Sequence, residues 1–263
     1  MNPDDLLRTG RLTAAIEQLN QDVRAHPGNS RLRTSLFEAL CFAGDYQRAQ
    51  RQLDVLAQLD PRVDSGVAIY RQILSVERSR LEVAEGEGSP AFLLEPPPFA
   101  ALYLAAFRRL HEGKAAEART LLIMAMESQP AVSGKLDGKH FNDFSDSDPF
   151  YAPFLEVFID GRYVWLPFVQ VKRLAIQVPS RLRDLLWAEA TLETVVGPSG
   201  SVLIPVLYSG SFRHPDEQVR LGRATVWNDV GENLMRGSGQ RMFLIDDDEK
   251  PMLHCREIEF AAA

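Results

Sequence analysis

The stretch GDYQRAQRQLDVLAQLDP, residues 44–61, decides how the first half of the chain is read. It opens on Gly44, sets Ala49 five residues later and closes on Pro61, seventeen after the glycine. Gly10, Ala15 and Pro27 repeat that spacing, and so do Gly113, Ala118 and Pro130. Each position has a physical reason. The glycine ends a helix or makes the tight turn after it, where positive φ costs little. The alanine sits where two helices cross closely. The proline ends the second helix, since it has no N–H and clashes with a continuing turn. HPGN at 26–29 and LDPR at 59–62 add turn chemistry.

Gly10 and Gly44 lie 34 residues apart, and Gly44 and Gly113 lie 69 apart, close to two such periods. A period of 34 is that of the tetratricopeptide repeat, a helix–turn–helix unit. Between the turns, apolar residues keep helical spacing: Leu32, Leu36, Phe37 and Leu40, then Leu53, Leu56 and Ala57, then Leu121, Leu122, Ala125 and Met126. The first copy is truncated, with a short turn over 3–9 before a helix over 11–25. A long amphipathic helix is expected over 64–86, broken by GEGSPAFLLEPPPF. Residues 1–130 therefore read as a tetratricopeptide-like helical domain. Such a solenoid offers a concave face to a peptide or helix. The helical phase sets Arg31, Thr34, Glu38, Tyr103 and Phe107 towards that groove. Tyr103 is the aromatic expected to be exposed, because its hydroxyl prefers water or a partner.

The pattern changes after Pro130. Residues 131–150, AVSGKLDGKHFNDFSDSDPF, are rich in Gly, Ser and Asp without a helical period and read as a loop or linker. Alternation then takes over in 151–263. LEVFI, Asp160–Gly161 and RYVWLPF make a hairpin with a type I′ turn. VKRLAIQV is a third strand. SRLRDLLW is a short helix with Ser180 at its N-cap. TLETVV and SVLIPVLY flank the turn GPSG, and RMFLI and MLHCREIEF flank DDDEKP. The fold class is α+β: the helical repeat domain followed by a small, largely antiparallel α+β domain.

Composition narrows the function. The formal charge of −7 over 263 residues disfavours nonspecific nucleic-acid binding. No apolar run is long enough to insert in a bilayer, and MNPDDLLRTG lacks the basic and apolar regions of a signal peptide. Cys41 and Cys255 form no CxxC. Together these point to the cytoplasm.

A search for chemistry finds no constellation that is complete. Asn142, Asp143, Asp146 and Asp148 are the best candidate metal ligands, but no Gly or distal Glu completes a calcium loop; turns and caps made by Asp side chains are preferred. GKLDGKH at 134–140 is one residue short between its glycines for a phosphate loop, and His140 replaces the hydroxyl. Ser199, Ser201, Ser209 and Ser211 with His214 lack the order of a nucleophile and base. The five histidines never fall at HxH or HxxxH. His254 and Cys255, neighbours on an expected strand, would point apart. DDDE at 246–249 reads as a solvated tip. No metal and no cofactor are expected. A hydrolase or metal-dependent enzyme in the C-terminal domain is the alternative to a binding protein.

The C-terminal half carries a longer string. Tyr163 to Phe168 with Trp165 and Pro167, Arg183–Asp184 through Trp187, Pro205 to Tyr208, and Leu221 to Trp227 with Gly222 and Arg223 keep their order over about 140–230. The string resembles the ImpE/TagJ family, whose C-terminal region is also called SciE-type and whose N-terminal half is tetratricopeptide-like. The resemblance implies a non-enzymatic, cytoplasmic accessory protein of bacterial type VI secretion. It implies association with the small subunit of the contractile sheath and a link to the AAA+ ATPase that disassembles contracted sheath. It supplies no catalytic residue. The motif residues read mainly as scaffold, with Arg183 and Asp184 able to pair and Arg223 able to hold a buried carboxylate.

Overall fold

The computed structural model describes residues 2–60, 62, 64–197 and 199–261; Pro61 of the second repeat signature and Pro198 of the GPSG turn lie outside them. Seven helices come first: α1 (Pro3–Arg8), α2 (Leu12–Ala25), α3 (Ser30–Phe42), α4 (Tyr46–Leu59), α5 (Asp64–Ala84), α6 (Phe99–His111) and α7 (Ala115–Ser128). The glycines of the repeat signature all sit between paired helices with positive φ: Gly10 at 81°, Gly44 at 69° and Gly113 at 73°. Ala15, Ala49 and Ala118 have no exposure, as the helix crossings require. Asn29 and Asp45 cap α3 and α4 through their side-chain oxygens.

At Gly44 a side chain fails twice. Its φ is left-handed, and a Cβ would lie 2.3 Å from the ring of Phe212. Gly44→Ala should therefore lower stability by about 2 kcal/mol or more, read as a lower urea midpoint; an unchanged midpoint would show that the Phe212 contact yields freely.

The strands follow: β1 (Gly134–Leu136), β2 (Lys139–Phe141), β3 (Phe144–Asp146), β4 (Phe154–Ile159), β5 (Arg162–Pro167), β6 (Val171–Ile176), β7 (Trp187–Thr194), β8 (Ser199–Pro205), β9 (Thr225–Asp229), β10 (Met235–Gly239), β11 (Met242–Ile245), β12 (Asp248–Pro251) and β13 (Glu257–Phe260), with a short helix α8 (Glu217–Arg220) before β9. Eight form one antiparallel sheet in the order β2-β1-β13-β6-β7-β8-β4-β5; β12-β11-β3 and β10-β9 make two smaller sheets. The protein is thus α+β, helices first and an antiparallel sheet after them.

The hairpin β4–β5 has the expected turn, with φ of 49° at Asp160 and 69° at Gly161. Three local expectations need correction. Residues 131–150 are not an unpaired linker: β1 pairs with β13, Gly134 opposite Phe260, and β3 pairs with β11. SRLRDLLW is a 3₁₀ turn over Leu182–Leu185 instead of an α-helix. The cap is Asp184, whose carboxylate accepts from the backbone N–H of Ser180 and Arg181, both at 2.8 Å. The last hairpin closes earlier than expected, β11 pairing with Asp248–Pro251, while Glu257–Phe260 joins the large sheet between β1 and β6.

Alternation along β4 and β5 divides the core. Phe154, Glu156, Tyr163 and Trp165 share one face, and Leu155, Val157, Val164 and Leu166 the other; all are buried. The first face meets the helices, with Phe154 against Tyr103 and Trp165 against Phe107. The free edge of β5 is partly covered by the segment after α5. The Ala91 N–H donates to the Tyr163 carbonyl, and the Trp165 N–H donates to the Ala91 carbonyl.

Candidate functional site

Helix α5 carries two charged residues, Glu77 and Arg80, one turn apart on its buried face. β4 carries a lone charge, Glu156, in the otherwise apolar FLEVFI and with no exposure. Arg80 grips Glu156 with two parallel bonds, Nε at 2.9 Å and Nη2 at 3.0 Å, and also donates to the Leu207 carbonyl at 2.6 Å. Tyr163 donates its hydroxyl to Glu156, and Trp165 donates to the Tyr163 oxygen at 2.6 Å. Trp187 donates to Glu77 at 2.7 Å. Arg241, fully buried, lies against Glu156 and Asp146, its guanidinium between the rings of Tyr151 and Tyr208. Arg236 pairs with Asp148 at 2.9 Å and covers the rings of Phe107 and Phe150. Arg80 and Glu77 thereby fasten α5 to the sheet.

Burial pushes the Asp146 carboxyl up to about 6, against the opposing charge of Arg241. A carboxyl raised in the fold favours the folded state below its ordinary value, 3.8, and that contribution is lost as pH rises through about 6. The wild type should therefore lose about 2 kcal/mol relative to Asp146→Asn between pH 4 and pH 7. Urea unfolding of both at several pH values measures this; parallel pH curves would contradict it.

Several of the candidate catalytic groups are committed elsewhere. Asp146 accepts from the Asp148 N–H and the Tyr208 hydroxyl, and Asp148 accepts from the Phe150 N–H. Asp143 is exposed. Among the described residues no group of three His, Cys, Asp or Glu stands ready to hold a metal. Ser211 donates to the Tyr208 carbonyl and accepts from the Gly239 N–H, while His214 accepts from the Asp216 N–H. Cys255 is buried, with its thiol pushed up to about 12 by that burial, and His254 beside it is exposed. DDDE at 246–249 is the exposed hairpin tip expected, and Asp246 there also accepts from the backbone N–H of Asn142 at 2.8 Å and Asp143 at 3.0 Å.

The five residues assigned to a groove separate. Arg31 is exposed, in a loose pair with Asp4 at 3.8 Å. Thr34 is half-buried and bonds back to the Ser30 carbonyl. The other three are covered by the C-terminal half. Glu38 pairs with Arg183 at 3.1 Å; burial raises its carboxyl while Arg183 opposes. Phe107 is packed by Phe150, Tyr151 and Trp165. Tyr103 has no exposure, contrary to expectation, because Gln129 accepts from its hydroxyl at 2.7 Å inside the structure.

The motif string acts at the same junction. Arg183 also lies over the Tyr70 ring at 5.1 Å. Arg223 does not hold a carboxylate; it donates to the Leu7 and Arg8 carbonyls at the end of α1. Gly222, with φ of 67°, makes the turn before it against Leu207, and nearby Glu217 accepts from the Thr13 N–H at the start of α2. Tyr208 packs at a tilt against half-buried Trp227, while Pro167 and Pro205 end β5 and β8.

The junction also holds an open cleft. A cleft of about 690 Å³ lies between α5, the β4–β5 hairpin and the loop before β7. Ile69, Tyr70, Ile73, Phe158 and Leu203 give it apolar walls, and Arg181 and Glu189 give it charged ones. Ile69 is 56% exposed, a large apolar side chain left to solvent in a concave site. Its spacing from Ile73 was legible as amphipathic; that it faces a cleft was not, since the opposing wall comes from 85 or more residues away in sequence.

Residues 138–259 match the model of the ImpE protein family. The chain is 36% identical over 260 residues to the type VI secretion system accessory component TagJ of Pseudomonas aeruginosa, covering 99% of this chain and 91% of that protein. Its fold is also that of a crystal structure of a Vibrio parahaemolyticus protein, with a TM-score of 0.92 over 98% of this chain and 97% of that one at 22% identity. With a full-length relative at that identity, the chain belongs to the ImpE/TagJ family.

Proposed function

We propose that the protein is a non-enzymatic accessory component of a type VI secretion system. It works in the cytoplasm as an adaptor that holds an amphipathic helix of the small sheath subunit in the junction cleft. Through that subunit it is linked to the AAA+ ATPase that disassembles contracted sheath. The observation that carries this reading is the relationship to TagJ along nearly the whole of both chains. Two features of the site support it. The cleft combines apolar walls with an exposed Ile69, as helix-in-groove recognition needs. Ser211, His214, Asp146 and Asp148, among the side chains considered for catalysis, are engaged in turns and buried ion pairs. None of the described helices is long and apolar enough to cross a membrane. Co-purification of the untagged small sheath subunit on the tagged full chain tests the proposal. Stoichiometric recovery is expected; no recovery above background, with both proteins folded, sinks it.

A further inference from the structure

The outer face of α7 is apolar where the last helical pair ends. Ile123, Met124 and Met126 are 41%, 50% and 52% exposed. The 69-residue offset between repeat copies places Ile123 and Met126 at the positions of Asp54 and Ala57 on α4. On α4 that face abuts α5: Asp54, its side chain 46% exposed, accepts from Arg71 of α5 at 2.8 Å, and Ala57 packs against the core. The face of α7 is therefore one that receives a further helix in the preceding copy.

Two charges indicate which helix. Arg119 and Glu127 lie four residues before and four after Ile123; both are exposed, and neither is in an ion pair among the described residues. Each is about 6 Å along the axis from Ile123, in opposite directions, at 1.5 Å per residue. If two copies of α7 pair antiparallel about a twofold axis level with Ile123, the two offsets exchange. Each Arg119 then comes level with Glu127 of the other copy, and Ile123 meets its own symmetry mate. Such self-complementarity is what an isologous contact requires. We propose that the protein forms a twofold dimer through α7, with Ile123 at its centre and reciprocal Arg119–Glu127 pairs at its ends.

Sedimentation velocity of the full chain over a dilution series tests this, with thermal melts to confirm that each variant is folded. The wild type is expected at twice the mass of the chain, dissociating on dilution. Ile123→Glu sets like charges against each other at the axis and yields a monomer with an unchanged melt. Arg119→Glu and Glu127→Arg each weaken the dimer about tenfold, and the two together restore it. A monomer at every concentration overturns the proposal. So does a dimer that survives Ile123→Glu, or a double exchange that fails to recover what the single ones lose.

Discussion

Glu156→Ala lowers the stability of the folded chain by about 5 kcal/mol, enough to unfold a protein of ordinary stability. Glu156 is fully buried and faces two guanidinium groups, those of Arg80 and Arg241, as well as the Tyr163 hydroxyl. Arg80 and Arg241 are themselves 3% and 0% exposed, so neither can turn to water when the carboxylate is removed. Both guanidinium groups lose a buried carboxylate, Arg80 keeping Glu77 at 3.5 Å and Arg241 keeping Asp146, and the cost is the desolvation that Glu156 had offset. Denaturant unfolding of freshly refolded protein measures the effect. A loss under about 1 kcal/mol would mean that water reaches the hub and that the pairs fasten nothing.

Phe107→Ala is expected to cost about 4 kcal/mol, for a different reason. Its ring is 1% exposed and has aromatic centroids at 5.0, 5.3 and 5.4 Å, from Phe150, Tyr151 and Trp165. The substitution opens a cavity between α6 and the sheet and removes the ring beneath the Arg236 guanidinium, 4.9 Å away. Because the cavity lies between the helical half and the sheet, far-ultraviolet dichroism and tryptophan fluorescence should fall together at a lower denaturant concentration. A fluorescence transition that shifts alone would show that the helices hold without this contact.

Both substitutions fall where local sequence signals are weakest. Asp160–Gly161 announces its hairpin because four residues suffice to set a type I′ turn, and the strand pairing follows from it. The Gly–Ala–Pro signatures are equally local, each fixing one inter-helix turn and one close crossing. β1 carries no local signal, because its partner is β13, with Gly134 opposite Phe260, and three residues of GKL have no period of their own. Tyr103 and Phe107, four residues apart, share one face of α6, but that face is covered and offers no groove. Helical phase says which residues share a face, however, and not which element covers it; here the sheet does. The ionic hub left one visible trace, the single Glu156 inside FLEVFI, since a carboxylate in a strand buried on both faces needs a partner. Nothing near it in sequence identifies that partner as Arg80, 76 residues earlier.

The motif string sharpens the same point. Its conspicuous residues, among them Trp165, Trp187, Arg183 and Arg223, join the sheet to the helices or cap helix ends. They mark the architecture on which a cleft is built. The large apolar side chain exposed in that cleft, Ile69, belongs to α5 and to no part of the string.

Calorimetric titration of the small sheath subunit into the wild type, Ile69→Glu and Arg31→Glu tests the adaptor account most directly. Ile69 is in the junction cleft, and Arg31 is on the helical surface with its side chain 88% exposed. The account predicts saturable binding to the wild type and to Arg31→Glu, and at least a tenfold loss for Ile69→Glu with an unchanged melting temperature. Binding that survives Ile69→Glu and is lost with Arg31→Glu would contradict the cleft, and absence of binding to the folded wild type would contradict the adaptor.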